Sequence, residues 1–215
     1  MGLFNLGKPQ GASPQELLER VRLAEAEAVQ KGTQLEGLEE LIRHLDEDHE
    51  MLLKAAQLFR PGMEAKALGQ TLLDICFKPL SLASCFMALV DWDADRIQFP
   101  IYHEGGRLRN QTPRPFSEKG GGLTGKAMRS GGPLYIQTLD EGRAEGAIFS
   151  EAERVSGLVP QSWYGVPLGL GEGWGERPFG LISYQSFQRE AFPESRRRLM
   201  DALTAHVAMA LKVRP

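Results

Sequence analysis

Stepping alternately by four and three residues from Leu17 meets Val21, Ala24, Ala28, Lys31, Leu35, Leu38, Ile42, Leu45, His49, Leu52, Ala56 and Phe59. All but Lys31 and His49 are apolar. A heptad seam held this long predicts a left-handed coiled coil. Alone in water such a helix leaves its seam exposed, so it calls for a partner helix, most simply from a second copy of the chain. Two local signals interrupt the pattern. Lys31-Gly32 reads as a helix end, and Thr33 with Glu36 reads as a capping box that starts a new one. The chain therefore forms either one rod or a hairpin broken at Gly32. The heptad phase is kept across Gly32, which favours the rod, while Gly37 weakens the helix. On the seam, Lys31 snorkels and His49 sets the register.

Beyond Arg60-Pro61-Gly62 the periodicity changes. A helix is predicted over Met63–Lys78, with Ala67, Leu68, Leu72, Ile75 and Cys76 on one face. A strand Ser84–Val90 follows, then the acidic turn Asp91–Asp95. The next strand is Arg96–His103, with Ile97, Phe99 and Ile101 on one face. Gly105-Gly106 turns the chain. A short helix fits Leu123–Arg129 and a short strand Leu134–Gln137. Ser162–Leu170 and Phe179–Phe187 pair across the loop Gly171–Gly175. The last helix, Pro193–Val213, carries the stripe Leu199, Leu203, Val207 and Leu211. This order predicts an α+β domain, an antiparallel sheet with helices on it. The domains are then 1–13, a flexible N-terminus; 14–60, a coiled-coil helical arm; and 61–215, the globular domain.

Composition narrows the classes without choosing among them. Hydrophobic residues make up 42% and charged residues 25%, with a net charge of −3, so a packed core is expected and no general attraction to nucleic acid or anionic membrane. The acidic excess lies in the arm. No apolar run reaches the roughly 18 residues of a spanning helix. The N-terminus lacks a basic, apolar leader, and Leu6 stands where a myristoylation signal needs Ser or Thr. Cys76 and Cys85 form no CxxC pair and no cluster with His, so neither a metal site nor a disulfide framework is expected. A cytoplasmic location, with no cofactor, fits this chemistry.

One stretch imitates a nucleotide site. Gly120, four residues, then Gly125-Lys126 is the frame of a phosphate loop. Ala127 stands where a hydroxyl must hold Mg²⁺, and Pro113–Lys119 is no buried strand, so nucleotide hydrolysis is rejected. The same residues resemble a GAF domain. Gly122-Leu123-Thr124-Gly125 opens the family's central helix, Ser130-Gly131-Gly132-Pro133 closes it, and Leu134-Tyr135-Ile136 is its short strand. Ser162–Leu168 resembles the family's S-x-x-x-VPL strand and Phe179–Ser186 its GVLS strand. Phe192 and Ala205–Leu211 are similar to its final helix. The resemblance spans about Gly62 to Val213. It implies a six-stranded antiparallel sheet with helices on both faces. The first and last helices pack on one face, and a ligand pocket lies on the other. It also implies dimerisation through the terminal helices.

The pocket walls proposed from strand alternation are Phe99, Ile101, His103, Phe116, Tyr135, Phe149, Trp163, Ser183 and Gln185. Arg107, Arg109 and Lys126, with Gly120–Gly122 opening a helix, suggest a site for an anion. Phe149–Arg154 keeps only part of the cyclic-nucleotide signature: Arg154 replaces its final Glu. Arg196-Arg197-Arg198 opposes the dipole of the last helix and suggests an acidic neighbour, the arm or a partner. No nucleophile–base set converges, so the chain is read as a non-enzymatic regulatory GAF protein. It is expected to act as a coiled-coil homodimer and, with no output domain after Pro215, to relay through a partner protein. The alternative is a sensor for a cyclic nucleotide or another anionic or polar metabolite, whose binding shifts the helical arm.

Overall fold

The computed structural model describes residues 13–117, 121–169 and 177–212. Residues 1–12 of the N-terminus expected to be flexible, the start of the phosphate-loop frame and the loop Gly171–Gly175 lie outside the described residues. The chain divides into two compact units, residues 1–47 and 48–215.

Helix α1 (Pro14–Leu58) begins at a capping box. The Glu16 amide donates to Ser13 Oγ at 3.3 Å, and the Ser13 amide donates to Glu16 Oε2 at 2.7 Å. Pro14 takes the first helical position, where no donor is needed. The box read at Thr33 and Glu36 does not form. The Thr33 hydroxyl donates instead to the Val29 carbonyl at 3.2 Å, and the helix runs on through Gly32 and Gly37. Ion pairs Lys31–Glu27 and Arg43–Glu47, each one turn apart, lace this segment. Along residues 13–47, Leu17, Val21, Leu35, Leu38, Ile42 and Leu45 are each more than half exposed.

In the second unit the helix turns a different face inward. Met51 and Ala55, off the seam, are buried together with the last seam residue Phe59, and Leu52 packs partly on the same core, while the seam positions His49 and Ala56 stay exposed. The compact unit therefore starts at Asp48, within α1. These residues join a core made by α2 (Ala65–Cys76) and α6 (Glu194–Lys212) on one face of a sheet. The α6 stripe Leu199, Leu203, Val207 and Leu211 is buried there. On α2, Ala67 proves exposed, and Gly69 faces the sheet in its stead. A Cβ at Gly69 would lie 2.5 Å from Ile101 Cγ2, so only glycine lets the helix lie this close.

The three consecutive arginines of α6 have three separate environments. Arg196 is ion-paired to Asp48 of α1, both side chains being about five-sixths buried. Arg197 lies over the Tyr135 ring at 4.6 Å, and Arg198 is paired along the exposed helix surface with Glu194.

The sheet comprises β1 (Ser84–Asp91), β2 (Arg96–Glu104), β3 (Arg107–Leu108), β4 (Arg114–Pro115), β5 (Leu134–Ile136), β6 (Ser162–Leu168) and β7 (Gly180–Ser186). Its order is β3-β2-β1-β7-β6-β5, with β4 also on β2, and every pairing is antiparallel. Alternation divides the side chains. Cys85 and Met87 of β1, Tyr164 and Val166 of β6, and Ile182 and Tyr184 of β7 face the helical core. Phe86, Ala88, Val90, Trp163 and Leu181 face the other way, into a second core.

One irregularity breaks this alternation. Met87 pairs with Ile101, but Leu89 pairs with Gln98. Two steps on β1 match three on β2, so β2 holds one extra residue at Phe99-Pro100, a β-bulge. Pro100 cannot donate to a ladder, and a bulge is where a strand tolerates it. Past the bulge the parity of β2 reverses. Ile97 and Phe99 face the second core, Ile101 faces the helical core, and Tyr102 returns to the second.

Replacing Asp48 or Arg196 by Ala should lower the thermal midpoint. A double-mutant cycle should give a coupling of about 1–3 kcal/mol. Additive losses in denaturation would show that the pair does not hold α1 to α6.

Candidate functional site

The face of the sheet away from α1, α2 and α6 carries a cavity of ≈ 570 Å³. Its floor is read row by row from the register. At one end Glu104 of β2, Ser84 of β1 and Gln185 of β7 are paired neighbours across three strands, with Trp163 of β6 next. One row further lie Tyr102, Phe86 and Ser183. Beyond them come Phe99 and Ile97, with Phe116 above. The floor thus runs from polar at the Glu104 end to aromatic and apolar beyond it.

The roof is built from short helices. Gly121 and Gly122, at φ 72° and 57°, turn the chain into α3 (Gly122–Ser130), which packs Leu123, Ala127 and Met128 on the second core. Both glycines line the cavity. The phosphate-loop frame is therefore a packed helix, with Gly125 and Ala127 buried against the sheet. Thr138 caps α4 (Leu139–Ala144) by accepting from the Glu141 amide. Ser150 and Glu153 form a full capping box on α5 (Glu151–Ser156), which leaves half-buried Glu153 against the cavity.

The aromatic part of the floor is ordered by ring contacts. Phe86 and Tyr102 stack at 5.2 Å, and Phe99 meets both edge-on at 5.7 and 5.8 Å. Trp163 lies flat on Gly165, where a Cβ would be 2.0 Å from its Cη2. Glu104 is buried, and its Oε1 has no hydrogen-bond partner; its Oε2 is 3.9 Å from Arg109 Nε. Burial, with the charges of Glu104 and Glu153 added, raises the Tyr102 hydroxyl pKa, so Tyr102 is a neutral donor here. Burial also raises the carboxyl pKa of Glu153, with the Glu104 charge adding to it, against the lowering by the Ser150 hydrogen bonds.

Of the residues proposed from sequence, Phe99, Phe116, Phe149, Trp163, Gln185 and Arg109 line the cavity. Four proposed wall residues do not. Ile101 and His103 lie on the opposite face because the bulge reverses their parity; the His103 ring packs edge-on to Phe77 at 4.1 Å. Tyr135 faces the helices, since its neighbour Ile136 faces the cavity, and its hydroxyl accepts from the Phe192 amide. Ser183 has cavity-side parity but is fully covered, its Oγ taking a hydrogen bond from Gln185 Nε2. Of the proposed anion-binding groups, Arg107 is exposed on β3 outside the cavity, and Lys126 is paired with Glu145.

Tyr102, Glu104 and Glu153 were missed by sequence reasoning. Pro100 inside a strand signals the bulge that brings in the first two. Ser150-x-x-Glu153 is a capping-box pattern that fixes the third. Neither cysteine lines the cavity. Both are buried, which pushes the Cys76 thiol up to about 12 and that of Cys85 well above the usual range. Among the described residues no helix is long and apolar enough to cross a membrane.

A sheet with terminal helices on one face and a roofed cavity on the other is the architecture of a domain with room for a small molecule. The model of the GAF domain family matches residues 62–212, and the chain belongs to that family, one of regulatory and sensor domains. No curated protein matches the sequence. Among solved structures it is similar to the GAF domain of an Acinetobacter phosphoenolpyruvate-protein phosphotransferase, at 15% identity and a TM-score of 0.55, covering 76% of this chain and 89% of that one. It is similar to the free methionine-R-sulfoxide reductase of Neisseria meningitidis in complex with its substrate, at 17% identity and TM-score 0.55, covering 79% and 89%. The Staphylococcus aureus reductase is similar at 12% identity and TM-score 0.54, covering 76% and 95%. These likenesses concern the fold. They correct the expectation that the chain is not an enzyme, because the same fold houses sulfoxide-reducing enzymes.

Gly165→Ala should push the Trp163 indole off the sheet and cost about 1–3 kcal/mol, the range for overpacking a filled site. Near-ultraviolet circular dichroism and a denaturation curve check this; unchanged spectra and stability would mean the indole does not rest on Gly165.

Proposed function

We propose that this chain is a regulatory sensor. Its cavity takes a small polar ligand, and its α1 seam joins two copies into a coiled-coil homodimer that relays to a protein partner. One observation carries the reading. Strand β1 presents Phe86 to the cavity and Met87 to the helical core that also holds Met51 of α1 and Leu203 of α6. A ligand that moves Phe86 loads the same strand that supports α1. The close packing of that core makes small displacements propagate rather than dissipate.

The exposed seam supports the dimer. Leu35, Leu38, Ile42 and Leu45 repeat at heptad spacing and are all more than half exposed in the single chain. A second α1 would cover them. The chain's own core takes Met51 and Ala55 together with the last seam positions, Leu52 in part and Phe59, while His49 and Ala56 stay exposed. Docking into the chain's own core therefore leaves the seam from Leu17 to Leu45 free for another copy.

Light scattering at micromolar concentration should give twice the chain mass of 23.8 kDa. Leu35→Glu with Ile42→Glu should give a monomer with the far-ultraviolet signature of the sheet intact. A monomeric parent protein would overturn the dimer.

A further inference from the structure

The cavity has a chemical polarity that names the ligand class, an inference resting on the sensor reading above. Glu104 is 7% exposed, lines the cavity, and leaves Oε1 without a partner. A buried acceptor left unmade costs more than a formed hydrogen bond returns, so such a group marks a place where a donor is expected. Arg109 does not fill that role. Its Nε stands 3.9 Å from the other oxygen, beyond hydrogen-bond reach, and its side chain is nearly half exposed. The neighbours of Glu104 along the floor are also short of donors. The Ser84 hydroxyl is spent on the His103 carbonyl at 2.7 Å, and Gln185 Nε2 donates to Ser183. Arg109 and, on α5, Arg154 also line the cavity, but neither donates a hydrogen bond to Glu104 Oε1.

Two residues along the strand from Glu104 stands Tyr102, stacked on Phe86 with Phe99 at its edge. Side chains two apart on one strand face are about 7 Å apart. That is the span of an ammonium group and a ring joined by two or three carbons. A carboxylate beside an electron-rich aromatic surface is also the setting in which a cation is held from two sides.

We propose that the cavity binds a primary amine with an aromatic or branched apolar body. The ammonium donates to Glu104 Oε1, and the body lies on Phe86, Phe99 and Tyr102. This differs from the anionic ligand expected from the basic residues of the sequence. Arg107 and Lys126 lie away from the cavity, and Arg114 sits over the Phe99 ring at 5.7 Å rather than at the polar end. Roof residue Glu153 adds a second carboxylate to the polar end, its influence on Tyr102 shared with Glu104.

The test uses three probes of one skeleton in calorimetric titrations of the full chain: 2-phenylethylamine, 2-phenylethanol and 3-phenylpropionate. The amine should bind at least about tenfold more tightly than the alcohol, as expected for a charge-assisted hydrogen bond, and the carboxylate least. Glu104→Gln removes a charge that has no full partner, so the variant should fold with an undiminished melting temperature and lose at least about tenfold in amine affinity. Saturable binding of the alcohol or the carboxylate with no preference for the amine would overturn this assignment and leave the sensor reading standing. Silence with all three probes overturns the assignment too, while the dimer measurement still judges the sensor reading on its own terms. An unaltered amine affinity in Glu104→Gln also overturns it; should that variant not fold, the order of the three probes on the parent protein decides.

Discussion

One extra residue in β2 sets the character of the cavity. At Phe99-Pro100 the strand carries two residues opposite one of β1, and every side chain after that point changes face. Without it, Ile101 and His103 would point into the cavity and Tyr102 and Glu104 into the helical core. Glu104 would then turn its carboxylate to the helical side of the sheet, where His103 now packs on Phe77; an unpaired charge buried in an apolar core is costly. With it, Ile101 fills the notch over Gly69 on α2, and Glu104 becomes the polar end of a site. The bulge thus satisfies the helical core and builds the cavity in one step.

The sheet mediates between two chemically different surfaces. On one side the terminal helices form an apolar core with a few specific polar ties. Tyr164 donates to Asp201 at 2.8 Å, Tyr184 meets Thr204 at 3.0 Å, and Arg196 holds Asp48. The last tie fixes the end of α1 to α6. On the other side the short helices are positioned by caps: Thr138 for α4, Ser150 with Glu153 for α5, and left-handed glycines at both ends of α3. Caps of this kind, each of about 1 kcal/mol, hold segments too short to be stable alone. Within that roof α3 is packed on the sheet, and α5, whose described side chains are exposed or half-buried, is the part that opens at the lowest free-energy cost.

The amphipathic patterns were legible because they depend on period alone. The α6 stripe, the faces of β1, β6 and β7, and the family likeness from Gly122 to Leu211 all appear in the chain as sequence. The seam of α1 is equally plain, and the helix passes Gly32 because one glycine cannot stop a helix whose neighbouring Thr33 finds its own acceptor. The candidate cavity was legible only in part. Trp163 and Gln185 sit on strands whose parity no irregularity disturbs, and Phe99 keeps the parity of Ile97 on the near side of the bulge; Phe116 and Phe149 line the cavity from outside the strands. Ile101 and His103 were misplaced by the bulge, and Tyr135 by the parity of a three-residue strand too short to show its period. The basic cluster was misleading for a different reason: charge counts do not say which side chains are already paired, and Lys126 has Glu145.

The sequence by itself determined which elements form, the family they make, and the exposed apolar seam of α1, since these follow from periodicity, motifs and local capping. Tertiary structure alone decided which groups share the cavity and which charges are satisfied. Those depend on register across strands and on pairings between residues far apart in the chain. Glu104 is the clearest case. In sequence it is one acid before a Gly-Gly turn; in the fold it is a buried carboxylate with an unmade hydrogen bond, because the strand beneath it is one residue too long.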